Sequence, residues 1–267
     1  MSDSTGSPNS MVLRLAAPLQ SWGGHSEYNR RETAAQPTKS GVVGLLAAAA
    51  GYQRGADLRE LVRLRLGVRV DEPGTLLRDF HTVSDYRGRP LPAAAVNAKG
   101  EQRNSTLSGR PKLIHVTKRF YLQDAIFVVA VSGDRVLLET LRNALRHPVF
   151  PLALGRRSCP PTLPLVLDPA EGTLWEGDPM TVLSAVPWQP RATRRWNADR
   201  LAPAYRVLSI TVDDPVGADT RRDVPVSFAP RDRGFTMRPV TESWVRVPTL
   251  IDGAAPTPPP SWFTLLD

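Results

Sequence analysis

The stretch Ala125–Pro148, AIFVVAVSGDRVLLETLRNALRHP, decides the fold. Its opening, AIFVVAVS, is an apolar run too short for a helix, so it predicts a central strand. Asp134 then stands where a helix N-cap belongs, and Pro148 marks the end of that helix. Between them Val136, Leu137, Leu141 and Leu145 fall on one side of a helix. A strand feeding an amphipathic helix is half of an α/β unit.

Upstream, Met11–Leu15 reads as a strand closed by Pro18. The stretch PTKSGVVGLLAAAAG, Pro37–Gly51, predicts a helix from Lys39 to Gly51 whose glycines and alanines allow close packing on a sheet. Asp57 and Glu60 resemble a capping box ahead of Leu58, Leu61, Val62 and Leu64. Leu66, Val68 and Val70 then alternate as a strand, and LLRDFHTV is another. The order strand, helix, short helix with strands, strand, helix is accommodated by a βαββαβ ferredoxin or RRM-type body, with the last strand after Leu152. Further on, Asp178 and Pro179 predict a helix start. AYRVLSITVDD, RDVPVSF and ESWVRVP read as strands. Ser84–Leu113 has no sustained period and is rich in Gly, Pro, Asn, Ser and basic residues, as expected of a functional or disordered loop. No internal repeat of fixed period is visible.

With 267 residues, 41% of them hydrophobic, the chain can build one large domain or two small ones. A net charge of +8 points to a polyanionic partner; nucleic acid and acidic membrane surfaces both fit. No apolar run reaches the ~18–20 residues of a membrane span. MSDSTGSPNS lacks the layout of a secretion signal and reads as a disordered leader. The single cysteine, Cys159, excludes an intramolecular disulfide and a multi-cysteine zinc site. A cytoplasmic protein is the simplest case. The 26 prolines suggest many loops and a Pro-rich tail around Pro256–Pro260.

Lys39-Ser40 at a helix start suggests a phosphate-binding loop. A triphosphate loop needs preceding glycines, and none lies between Gly24 and Gly41. What remains is a helix N-terminus suited to an anion, with Arg30, Arg31 and Lys39 close by. The alternative is a buried small-residue helix behind a solvated basic loop. Four basic clusters stand out: Arg30/Arg31/Lys39, Arg103/Arg110/Lys112/Lys118/Arg119, Arg156/Arg157 and Arg191/Arg194/Arg195. Aromatic residues accompany them at Trp22, Tyr28, Phe120, Tyr121, Trp188 and Trp196. Arginine interleaved with aromatic faces suits single-stranded RNA, whose phosphates are neutralised while splayed bases stack. Taken singly, each cluster is an ordinary solvated surface.

Catalytic signals are weaker. His25, His81, His115 and His147 show no metal-ligand spacing. Asp79, His81 and Asp85 lie close together, as either a catalytic or a structural group. No histidine follows Cys159, which argues against a thiol nucleophile. Asp213 and Asp214 would point to opposite faces of a strand, against a paired-carboxylate site.

Four segments occur in order: LRLAAPLQSWG, PTKSGVVGLLAAAAG, LRDFHTVSDYRG and LGRRSCPPTLPL. Together they resemble the CasD-type Cas-five family, RAMP subunits of the type I-E CRISPR surveillance complex Cascade. The resemblance spans roughly residues 11–247. It implies an α+β protein with a ferredoxin-like, RRM-related body at 11–83 and 114–170. It further implies an extended thumb inserted at 84–113 and a smaller C-terminal β-rich region at 171–250. The leader, residues 1–10, and the tail, residues 251–267, receive no role.

In function, the resemblance implies a non-catalytic subunit that caps the complex and holds the 5′ handle of the crRNA. The implied partners are the CasC backbone subunit, the CasA large subunit, the other Cascade subunits and, through the complex, target DNA; no membrane, cofactor or metal is implied. The RNA-binding residues so implied are Gln20, Ser21, Arg30, Arg31, Lys39, Ser40, Gly155, Arg156, Arg157 and Ser158. Gly155 would let the backbone approach the ligand, and Trp22 would stack on a base or belong to the core. Arg103, Arg110, Lys112, His115 and Lys118 are the thumb candidates. The alternative is an endoribonuclease processing CRISPR repeat RNA, as in type I-C systems, with Tyr52, His115 and Lys118 as acid–base groups.

Overall fold

A computed structural model describes residues 8–23, 30–84, 87, 114–191, 203–229 and 232–249. Strand β1 (Asn9–Ala16) begins inside the stretch read as a leader and is followed by the short strands β2 (Leu19–Gln20) and β3 (Arg30–Arg31). Helix α1 (Lys39–Ala49) and the single turn α2 (Arg59–Arg63) lead to β4 (Arg65–Glu72) and β5 (Thr75–Ser84). The segment Ile114–Gln123, for which the sequence carries no strand period, is strand β6. Then come β7 (Ile126–Gly133), α3 (Arg135–Arg146), β8 (Val166–Leu167), β9 (Trp175–Glu176) and α4 (Pro179–Ala185). The long strands β10 (Tyr205–Asp213), β11 (Asp219–Ser227) and β12 (Gly234–Pro248) complete the described chain.

The central sheet runs β11-β12-β10-β4-β7-β1-β8, with β9 also on β1. Every neighbouring pair in it is antiparallel. Its middle strands are covered on both faces, which is why AIFVVAVS carries no alternation. Met11, Leu13 and Leu15 of β1 and Phe127, Val129 and Val131 of β7 face α1 and α3 in one core. Val12, Val128 and Ala130 face the other way, onto α4, β10 and β12. A single β4 position, Gly67, admits α4: a Cβ there would stand 2.8 Å from Pro179 and 2.9 Å from Leu183.

Two positions away, Arg69 is fully buried on the same face. It holds Asp71 through two hydrogen bonds and donates to the carbonyls of Leu183, Val186 and Pro187. Those are the orphan acceptors at the end of α4, so the arginine is that helix's C-terminal cap. Burial pushes the Asp71 carboxyl up, against the pull of Arg69 and of the Gln189 N–H.

A second, smaller sheet is built on β6. It pairs with β5 along its whole length, antiparallel, from Thr75↔Gln123 to Ser84↔Ile114. It also pairs with β2, antiparallel, and with β3, parallel. Along its length this ribbon leaves Leu76, Phe80, Val83 and Ile114 exposed.

Candidate nucleic-acid interface

Helix α1 starts as a phosphate-binding helix would, but its own chain occupies the anion position. Thr38 Oγ1 accepts from the Gly41 N–H, and the Asp223 carboxylate of β11 accepts from the Lys39 N–H at 2.8 Å. The Lys39 ammonium is buried and paired with Asp213 at 2.8 Å. Arg238 of β12 completes the group by bridging Asp213 and Asp223. Burial opposes the charge on Arg238, but the two carboxylates outweigh it and hold the guanidinium above its ordinary pKa. Two cations and two carboxylates are thus neutralised inside the fold. Lys39 is a structural ion-pair partner, and its charge is unavailable to a phosphate.

The ligand-sized space lies beside this network. A cleft of about 780 Å³ runs between the exposed side of α1, the β3–β6 edge, the Gly155 turn and the β11–β12 end. Its floor is Ser40, Gly41, Gly44, Leu45 and Ala48 of α1. Arg31, Arg119 and Arg156 stand on one side and Arg233 on the other. Among the described residues Glu32 is the one lining carboxylate, and Arg30 pairs with it at 2.6 Å. Arg119 differs from the rest: its Nε is shielded from solvent and has no hydrogen-bond partner among the described residues. An orphaned guanidinium N–H beside a polar cleft is costly unless an acceptor binds there.

Five of the expected ligand residues line this cleft: Ser21, Arg31, Ser40, Gly155 and Arg156. Two of them have additional work. Gly155 sits at φ +89, where a Cβ would lie 1.7 Å from the Ser21 carbonyl oxygen. The close approach it permits is to protein backbone, and Ser21 N–H donates to the neighbouring Leu154 carbonyl. Arg156 donates to the carbonyls of Phe120, Arg31 and Glu32 and lies 4.7 Å over the Tyr121 ring. It ties β3 to β6 and shapes the cleft wall more than it offers a free charge.

Other expected residues stand elsewhere. Gln20 is wholly buried; its amide donates to the carbonyls of Leu15 and Ala125 and accepts from the Trp22 indole. Trp22 is core: it packs under α1, where a Cβ on Gly41 would come within 2.7 Å of its ring. Neither reaches a ligand. Arg30 stacks over Phe120 at 5.1 Å. Arg157 and Ser158 stand beside the cleft without lining it. Lys118 is exposed on β6, on the opposite side of the strand from Arg119. His115 lies on β6 opposite Val83. Arg103, Arg110 and Lys112 lie outside the described residues. Tyr52 follows α1 and borders a separate hollow with Gln53, Asp57 and Arg63.

The weaker catalytic signals resolve in the same way. Asp79 and His81 share a face of β5, where the His81 ring meets Thr117 Oγ1 at 3.4 Å; Asp85 lies outside the described residues. Burial pushes the Cys159 thiol up, which disfavours a thiolate. Arg191 is engaged by Asp124.

Phe228, Arg233 and Phe235, outside all four basic clusters named from the sequence, form the cleft's far wall. Arg233 lies 5.7 Å from the Phe235 ring centroid. Their segment, FAPRDRGF, carries the same arginine–aromatic signal that marked the other clusters.

Comparison with known proteins agrees with the fold. The CRISPR system Cascade subunit CasD of Escherichia coli (strain K12) is 35% identical over 191 residues, which is 65% of this chain and 75% of that protein. A chain of a CRISPR RNA-guided surveillance complex superposes with a TM-score of 0.71 at 34% identity, covering 92% of this chain and 95% of its own. A crystal structure of a Cas protein superposes at 0.62, with 33% identity over 90% of this chain and 97% of that one. Residues 10–241 match the family model for CRISPR-associated protein (Cas_Cas5), and the chain belongs to that family.

Proposed function

We propose that the protein is a non-catalytic subunit of a Cascade-type CRISPR surveillance complex and that its cleft holds the 5′ handle of the crRNA. The E. coli relative is a Cascade subunit. The observation that carries the RNA site is the arginine-lined cleft with its orphaned Arg119. Cationic groups without internal partners are what a phosphate backbone neutralises. Ferredoxin-like describes the body: β8-β1-β7-β4 in sheet order, with α1 and α3 in the crossovers, follows that scheme. The β5–β6 ribbon is the base of the thumb, and its exposed apolar residues suit contact with other subunits, CasC and CasA first among them. Target DNA is engaged through the complex, in the cytoplasm. Binding rather than catalysis is favoured by the placement of Tyr52 and Lys118, which line no common cavity among the described residues.

The test is the complex carrying Arg119→Ala. Its stability should change by under about 0.5 kcal/mol, as for a substitution that breaks no strong internal interaction. RNA retention should fall, and the log–log salt slope should drop by about 0.7, the value for one phosphate of a single strand left without its cation. Unchanged retention and slope in the variant would sink the assignment of the cleft.

A further inference from the structure

The cleft has two unlike walls, and the difference between them bears on what enters it. One side is cationic, with Arg31 and Arg119. The other is aromatic, with Phe228 and Phe235 both half-buried and Arg233 against the Phe235 ring. A site for phosphate alone has no use for two phenyl faces, whereas an unpaired base does. The cleft volume, about 780 Å³, falls within the ~300–1,000 Å³ usual for small-ligand sites. That is ample for an extruded nucleotide.

The floor points the same way. Gly44 lies within α1, where glycine costs roughly 1 kcal/mol relative to alanine. Packing does not require it. A Cβ at Gly44 would meet only the Phe228 ring, at 3.6 Å, which is ordinary contact. Gly41 is different, since a Cβ there would collide with Trp22 at 2.7 Å. At Gly44, therefore, the helix gives up stability and leaves bare backbone facing the cleft. Close approach of a ligand to that bare backbone, beside the Phe228 ring, explains the choice.

We propose that the cleft is a single-nucleotide pocket, in which Phe228 and Phe235 take the face of one unpaired base and Arg119 takes its phosphate. This rests on the RNA-binding reading above. Arg119 is free to do so, because among the described residues its cross-strand neighbour Asp79 makes no ion pair with it. Arg233, held against Phe235, closes the aromatic side with a cation.

The experiment uses the assembled complex and synthetic copies of its co-purifying RNA, each with one abasic site moved stepwise along the handle. In the parent complex one position should stand out, with affinity about tenfold lower when its base is missing, as expected when one stacked base is removed. In Phe228→Leu/Phe235→Leu, which keeps apolar bulk without a ring face, that position should lose its penalty while the others keep theirs. Gly44→Leu should also weaken intact RNA about tenfold, with its thermal transition no lower than the parent's. Abasic penalties identical in parent and double variant would overturn the single-nucleotide pocket, as would a parent insensitive to every abasic position. A parent complex with no bound RNA would instead overturn the RNA-binding reading itself.

Discussion

Lys39 and Arg119 are two basic residues whose charges have opposite fates. Lys39 stands at a helix start, in the sequence context most suggestive of phosphate, yet its ammonium is buried against Asp213. Arg119 stands in the middle of a strand with no motif around it, yet its Nε has no partner among the described residues. The partners that decide the matter are far away in sequence. Asp213, Asp223 and Arg238 belong to strands at the other end of the chain, brought to α1 by the order of the sheet. A basic residue is available to a ligand only after the fold's own carboxylates have been counted.

The largest expected effect breaks the Lys39 side of this contrast. Asp223→Ala removes the acceptor for the Lys39 N–H and two hydrogen bonds to Arg238. It leaves a buried cation under-compensated, which costs about 3–5 kcal/mol. Urea denaturation of the isolated protein should show this as a lower midpoint with an unchanged slope. A loss under about 1 kcal/mol would mean that the network is weak and Lys39 more available than its geometry indicates.

Next in size is Gly155→Ala. Its Cβ would strike the Ser21 carbonyl, and φ +89 is strained for any side chain. A cost of about 2–3 kcal/mol follows from overpacking together with a wrong backbone region. RNA retention should fall with stability, unlike the Arg119→Ala case, because the cleft wall itself shifts. If retention fell while the thermal transition stayed put, Gly155 would serve the ligand directly, as its sequence context suggests.

The smallest effect calibrates the remote cap of α1 against a local one. Asp178 caps α4 from the adjacent position and accepts from the Thr181 N–H at 2.8 Å. That bond holds its carboxyl below the ordinary carboxylate range. Asp178→Ala should cost about 1 kcal/mol at neutral pH. A lowered folded-state pKa gives stability that is present above the unfolded value, near ~4, and lost as pH falls through the folded value. The gap between parent and variant should therefore narrow as pH falls below ~4, as read from denaturation midpoints across that range. A gap that stayed constant across that range would mean the carboxylate charge plays no part in the cap.

Much of the fold was legible. β1, β7 and α3 announce themselves because burial on two faces removes alternation from a strand, while burial on one face imposes a period on a helix. The Asp178-Pro179 start and the three C-terminal strands were readable for local reasons too. β6 was not: IHVTKRFYLQ mixes cations and large apolar residues because the ribbon has solvent near both faces at its far end. β8 and β9 are two residues each, too short for any pattern. At the site, Ser21, Arg31, Ser40, Gly155 and Arg156 converge from four segments; the basic charge of Arg31 and Arg156 was visible in the sequence, whereas Ser21 came only with the family resemblance. Lys39, Gln20 and Trp22 do not reach it, because side-chain pairing in the core is invisible to spacing. Phe228, Arg233 and Phe235 carry their arginine–aromatic signal in one short segment, but they join the site only because β11 packs against α1, a contact far apart in sequence.

The position of β4 in the central sheet has a consequence for how the chain is made. One edge of β4 pairs with β7, near in sequence; the other must await β10, which leaves the ribosome much later. Until then β4 is an edge strand, and edge strands recruit other chains. Arg69 sits on that strand among apolar neighbours. While the edge is bare its solvated charge opposes intermolecular pairing. In the finished fold the same guanidinium is buried and caps the helix that covers it. One arginine thus suits the bare edge, where charge opposes pairing, and the covered one, where it caps α4.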